Sequence, residues 1–172
     1  MKKLMFLIKD AFSYYKNSIL FATAIYFLSI VVGIIIFHNE KIPIAPQSLS
    51  FLELFLHNSL SVLLIIVVGL ISLGILGNLV LIANGIILGR IFAGVFNNYG
   101  LSPLLNNIAP HFIFETLAIL IATAISCETF KFIYNIKHNE PKVIRLRYCI
   151  VGFCLVILLL IFSALIESQL GG

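Results

Sequence analysis

The sequence predicts an all-α fold: a polytopic bundle of about five transmembrane helices, its amino terminus cytoplasmic and marked by a short interfacial helix. Three observations carry this. Apolar residues make up 61% of the 172 positions and charged residues 10%, against roughly 45–50% and 25% in a soluble globular domain. A soluble chain of this size could not cover its surface with so few charges. The apolar residues fall in runs of about 20, enough to cross a hydrocarbon core of roughly 30 Å, and the basic residues cluster between alternate runs. Residues 1–172 are therefore expected to form a single integral membrane domain with the lipid bilayer as solvent, a multi-pass protein of the cell membrane.

The first element is "MKKLMFLIKDAFSYYKN", where Leu4, Ile8, Ala11 and Tyr15 recur at helical spacing with Lys2, Lys9 and Lys16 roughly opposite. This predicts a helix lying on the cytoplasmic leaflet, lysines toward the headgroups. Residues 18–37 contain no charge and form the first span. The run is too long for a signal peptide and no A-x-A site closes it, so it is expected to stay as an anchor. Pro43 and Pro46 break the polar loop that follows, and "FLELFLHN" reads as a short interfacial helix with Glu53 and His57 on a solvated edge.

Residues 59–98 hold a single charge, Arg90. One straight helix of that length would reach about 60 Å, so the segment must fold back. "GILGN", Gly74 to Asn78, offers residues that accept a left-handed backbone. The reading is two spans, 59–76 and 79–97. A single span followed by a re-entrant hairpin near Asn84-Gly85 is the alternative, and lipid permits that only under a protein shield. An uncharged loop over 98–110 leads to a fourth span at 111–130, then a basic loop, then a fifth span at 148–166.

Charge placement chooses between the two. Lys and Arg favour the cytoplasmic side of short loops. Five spans put Lys2, Lys3, Lys9 and Lys16 on the same side as Lys131, Lys137, Lys142, Arg145 and Arg147, leaving Lys41 outside and Arg90 within the membrane. The re-entrant topology would strand the second group outside.

Arg90 is costly in a bilayer, about 2.5–3.5 kcal/mol at a helix centre on insertion scales. Counted from the loop at 98–110, its depth differs from that of Glu115 by roughly 5 Å, so an Arg90–Glu115 pair between antiparallel neighbours is expected. On the fourth span His111, Glu115, Ala118, Ala122 and Ser126 form one polar-to-small stripe, and on the third Gly85, Gly89 and Ala93 form a small-residue ridge. The two are expected to pack on each other. Asn84, Arg90, His111 and Glu115 are thus the candidate intramembrane cluster. They either hold the helices together or line a cavity that binds a ligand, an ion or a peptide partner.

Other chemistry is poorly supported. His111 and Glu115 could supply two metal ligands, but catalytic zinc usually needs three, and H-E-x-x-H is absent; no metal and no cofactor are expected. No G-x-S-x-G motif marks a nucleophile, and an enzyme is not the favoured class. Five spans without a repeat argue against a small-solute transporter, the lesser alternative, unless a homo-oligomer supplies the second half. The basic residues flank apolar runs instead of forming a face with interleaved aromatics, which excludes nucleic acid as a partner. Cys127, Cys149 and Cys154, odd in number and without C-x-x-C spacing, read as small buried thiols.

The run "NGIILGRIFAG…NNIAPHFIFETLAILIATAIS" resembles the stage II sporulation protein M family, in which an NG…G element precedes a loop and then PHG-x-FE with small residues behind it. The matching positions are Asn84, Gly85, Gly89, Pro110, His111, Glu115, Ala118 and Ala122. Phe112 stands where the family often has glycine, and Ser126 stands near its late glycine. The resemblance implies an integral membrane scaffold that positions other membrane or envelope proteins, as the sporulation member does with cell-wall hydrolases. Small relatives beside circular bacteriocin genes imply the alternative, a component of peptide maturation, export or immunity.

Overall fold

The computed structural model describes residues 2–43, 50–138 and 145–170. Pro46 and Lys142 fall outside them. Every regular element among the described residues is helical: α1 (Lys2–Ile36), α2 (Phe51–Ile71), α3 (Ile75–Tyr99), the single turn α4 (Leu101–Pro103), a π-helical turn (Leu104–Ile108), α5 (Ala109–Ser126), α6 (Glu128–Lys137) and α7 (Leu146–Leu170). Five stretches are long and apolar enough to cross a membrane: Met5–Ile36, Phe51–Ile71, Ile75–Tyr99, Ala109–Lys137 and Leu146–Gln169. The region 59–98 thus supplies parts of two full helices, not a re-entrant hairpin.

The amino-terminal segment and the first span form one helix. No Gly or Pro interrupts the chain before Gly33. Ala11, Tyr15, Ala22, Tyr26, Ser29 and Ile30 lie buried along a single stripe, so α1 is held against the bundle from Ala11 onward and its amino-terminal turns continue the span as one helix. "FLELFLHN" is likewise the start of α2, launched by a capping box in which Ser50 N donates to Glu53 Oε2 at 2.8 Å and Glu53 N donates to Ser50 Oγ at 3.4 Å.

The α2–α3 reversal falls at Ser72–Gly74, slightly earlier than the sequence suggests. Leu73 and Gly74 take φ of 57° and 88°, and Gly74 N donates to Gly69 O at 2.7 Å. Ser72 Oγ accepts from Leu76 N at 2.9 Å, and that bond starts α3 here instead of after Asn78. The connection 98–110 is helical instead of a loop, turning at Gly100 with φ 77° and entering α5 through Pro110 in its first turn. At the far end α5 is succeeded by α6 with only an irregularity at Cys127.

α5 is the central helix. In its span 56% of the most apolar stretch is buried, against 28–33% in the other four, and that stretch has the lowest mean hydropathy. The two facts explain each other: the helix least exposed to lipid can carry His111, Glu115, Thr116, Thr123 and Ser126. Around it Val62 and Ile65 of α2, Ala118, Ala122 and Ile125 of α5, and Val156 and Leu160 of α7 form the core. Leu20, Leu28, Leu60, Ile71, Leu158 and Phe162 lie on the exposed exterior, as acyl chains require. The three cysteines are free, and Cys154 is exposed, not buried.

The small-residue ridge of α3 meets α1, not α5. A Cβ placed on Gly33 would stand 2.3 Å from Ile86 O, on Gly85 2.1 Å from Ser29 Oγ, and on Gly89 2.2 Å from Ile30 O. Ala93 is buried as well. Ala118 and Ala122 pack in the core instead, and Ser126 abuts Gly69 of α2 and Gly77 of α3. A small-residue ridge fixes how closely a neighbour comes and leaves open which neighbour it is. Here α1 offers the complementary face through Ala22, Ser29 and Gly33. Gly89→Ala is expected to destabilise the bundle by about 1–3 kcal/mol through overpacking against Ile30, read as a lower unfolding midpoint in detergent. An alanine on exposed Leu28 should shift the midpoint far less.

Candidate functional site

The polar residues of the spans gather at two ends of the bundle. At the end where α1, α3 and α7 finish, a cleft opens between the first turns of α2, the second half of α3 and the start of α5. It consists of two adjoining cavities of about 210 and 490 Å³ that share His57, Asn58, Leu88, Ile91, Phe112 and Glu115. Asn84 and Tyr26 line the smaller one, and His111 and Glu167 the larger. Helical spacing puts Asn84, Leu88 and Ile91 on one face of α3, and it puts His111 and Glu115 one turn apart on α5.

Glu115 is the best-held group in the cleft. Asn58 Nδ2 donates a short hydrogen bond to Glu115 Oε1, and Ser163 Oγ lies 3.2 Å from the same oxygen. Ser163 Oγ also lies 3.2 Å from His111 O, so its one proton serves either acceptor. Three helices, α2, α5 and α7, thereby converge on one carboxylate. His57, expected on a solvated edge, lines both cavities; Asn58 and Ser163 went unrecognised in the sequence. Asn58 follows His57 about two turns after the Ser50 cap, and Ser163 is the lone hydroxyl deep in the apolar run of α7.

Arg90 lines neither cavity. Its side chain is 49% exposed and binds Glu40, 29% exposed, rather than the expected Glu115. Nε donates to Oε2 at 2.7 Å and Nη2 donates to Oε1, a two-pronged pair, with Cζ 5.4 Å from the Phe37 ring. The depth argument left out direction. Arg90 stands about 100° around the helix from Ile91, beside Gly89 and hence beside α1. There it secures the chain leaving α1. Asn97 Nδ2 donates to His38 O at 2.6 Å and Glu40 O at 3.0 Å, Asn98 Nδ2 donates to Ile42 O at 3.3 Å, and Ile42 N donates to Gly94 O at 3.2 Å.

A second cluster occupies the opposite end, and nothing in the sequence reading singled it out. Glu128, 2% exposed, accepts from Tyr14 Oη at 3.0 Å, Tyr15 Oη at 3.3 Å and Arg145 N at 3.0 Å. The signal was available: one acidic residue, Glu128, at the head of a strongly basic stretch, and adjacent tyrosines in the basic amino-terminal segment.

Two measurements test these assignments. Glu115→Ala strands the Asn58 amide and is expected to cost about 1–3 kcal/mol, while Arg90→Ala lowers the unfolding midpoint far less; the double variant should show the sum of the two, as the residues share no partner. Strong coupling in that cycle would restore the Arg90–Glu115 pair. The second concerns pH. The Arg90 guanidinium, hydrogen-bonded to Glu40, holds that carboxyl below its ordinary value, about 4.3 in peptides. A depressed carboxylate contributes its full stabilisation above the ordinary value and loses it as pH falls through the lowered one. Spin labels at Asn39 and Leu101 should give one narrow distance at pH 7 that broadens only in acid below the ordinary carboxyl range, and Glu40→Gln should broaden it at pH 7.

Comparison with known proteins adds one match. A family model described as Stage II sporulation protein M matches residues 22–170. No curated protein and no solved structure matches the chain. The match runs from inside α1 to the end of α7, through the helices that build the cleft, and the chain belongs to the Stage II sporulation protein M family.

Proposed function

We propose that the chain is a non-enzymatic scaffold of the cell membrane that docks partner proteins at the end of the bundle bearing the cleft. With the amino terminus cytoplasmic, as the charge placement implies, that end faces outward. The observation that carries the reading is the latch of residues 38–42 onto α3 at the same end of the bundle as the open cleft. A stretch tied down by Arg90, Asn97, Asn98 and Gly94 is a preorganised surface, and preorganisation lowers the entropic cost of binding.

The chemistry of the cleft favours holding over reacting. Ser163 is fully buried and its proton is engaged by Glu115 or by the His111 carbonyl, so its oxygen cannot reach a substrate. His57 is exposed at the mouth, where it can meet a partner.

Photo-crosslinking in intact cells tests the proposal. A photoreactive residue replacing His57 should yield discrete protein adducts, and Glu115→Gln should reduce them at unchanged expression. The same group replacing Leu28, on the exposed face of α1, should label lipid. Lipid labelling from both positions, or identical proteins from both, would overturn the docking role.

A further inference from the structure

We propose that the opposite end of the bundle binds one anionic phospholipid, its phosphodiester on Lys131 and Arg145 and an acyl chain in the groove between α2 and α7. Three features converge on this. Lys131 Nζ lies 4.4 Å from the centre of the Tyr14 ring and 4.6 Å from that of Tyr15, and Arg145 Cζ lies 5.0 Å from Tyr14 and 5.5 Å from Tyr148. One tyrosine thus seats both cations, and cation–π contact fixes their positions without neutralising them.

The second feature is charge balance. Glu128 is the acidic group of this cluster, and its acceptors are taken by Tyr14, Tyr15 and the Arg145 N–H. Neither Lys131 nor Arg145 is ion-paired among the described residues; the ion pair found there joins Arg90 to Glu40. Among the described residues, two cations over one carboxylate leave a single positive charge, which one phosphodiester neutralises. Lys131 spends one weak hydrogen bond on Tyr14 O at 3.5 Å, and its other protons remain for phosphate oxygens.

The third feature is the groove, a space of about 400 Å³. Ile66, Leu70, Ile125 and Phe153 give it an apolar lining, and Glu128, which also lines it, is the carboxylate bonded to Tyr14 Oη and Arg145 N, so groove and cations meet at one side chain. Leu146 and Phe153 at its edge are exposed, so lipid enters from the side. A basic site at the mouth of an apolar slot between spans is the form that recognises an acidic lipid over a zwitterionic one. Tyr14 and Tyr15 precede the residues matched by the family model, so the site is not contained in that match.

The chain contains no tryptophan, which makes Phe153→Trp a clean reporter inside the groove. Titrated in bilayers with bromine-labelled phosphatidylglycerol or phosphatidylcholine, its fluorescence should be quenched by the acidic lipid with about thirtyfold preference, given roughly 1 kcal/mol for each of the two basic residues. Lys131→Gln with Arg145→Gln should bring the preference close to one in the folded fraction, the loss of their ring contacts lowering the unfolding midpoint in neutral detergent. Lys16→Gln with Lys137→Gln, the same charge loss at exposed positions, should leave it intact. Equal quenching by the two lipids in the parent reporter, a reading that needs neither double variant to fold, would overturn the site. So would equal loss in both double variants, or displacement by soluble glycerol phosphate at the concentration of the lipid.

Discussion

Hydrocarbon offers no hydrogen bonds, and a membrane helix that carries a carboxylate must place it where protein replaces water. In this chain α5 meets that requirement by standing at the centre of the bundle, and much of the architecture follows. α2 and α7 flank α5 so that Asn58 and Ser163 reach Glu115. Because α5 takes its partners from those two helices, α3 is left to pack along α1. The least apolar span is thus the most enclosed one, and the polar residues that look misplaced in the sequence of α5 are the reason for its position.

The second consequence is the backbone contact of α1 with α3. Gly33, Gly85 and Gly89 bring the two helices close enough that any side chain there would strike a carbonyl or a hydroxyl. This contact sets the direction of Arg90, which then meets the chain leaving α1 and not the cleft. One geometric fact therefore separates the arginine from the glutamate and ties down residues 38–42 on the α1 side of α3.

The five spans were legible because lipid imposes a blunt rule, a run of about 20 apolar residues for each crossing. The positions of His111 and Glu115 on one face of α5 were legible for the same periodic reason. Azimuth was the hidden variable. Depth along a helix can be counted from a loop, yet the neighbour that a face meets depends on the packing of all five helices. Arg90 was misassigned to Glu115 on that account, and the ridge of Gly85, Gly89 and Ala93 to α5. Asn58 and Ser163 were overlooked because single amides and hydroxyls recur throughout apolar spans without consequence. Glu128 was overlooked because a boundary carboxylate looks solvated until two tyrosines more than a hundred positions away close over it.

The unbroken length of α1 bears on mechanics. Its 35 residues measure about 52 Å along the axis, some 20 Å more than the apolar slab they cross. Pressed against its neighbours from Ala11 to Ile30 and free of Gly and Pro before Gly33, α1 does not shed the excess by kinking and must lean or protrude as a rod. A thinner or thicker bilayer would then be met by a change of tilt, and a rod anchored by Tyr14 and Tyr15 at one end and by the tether at residues 38–42 at the other would carry that change from one surface of the membrane to the opposite one.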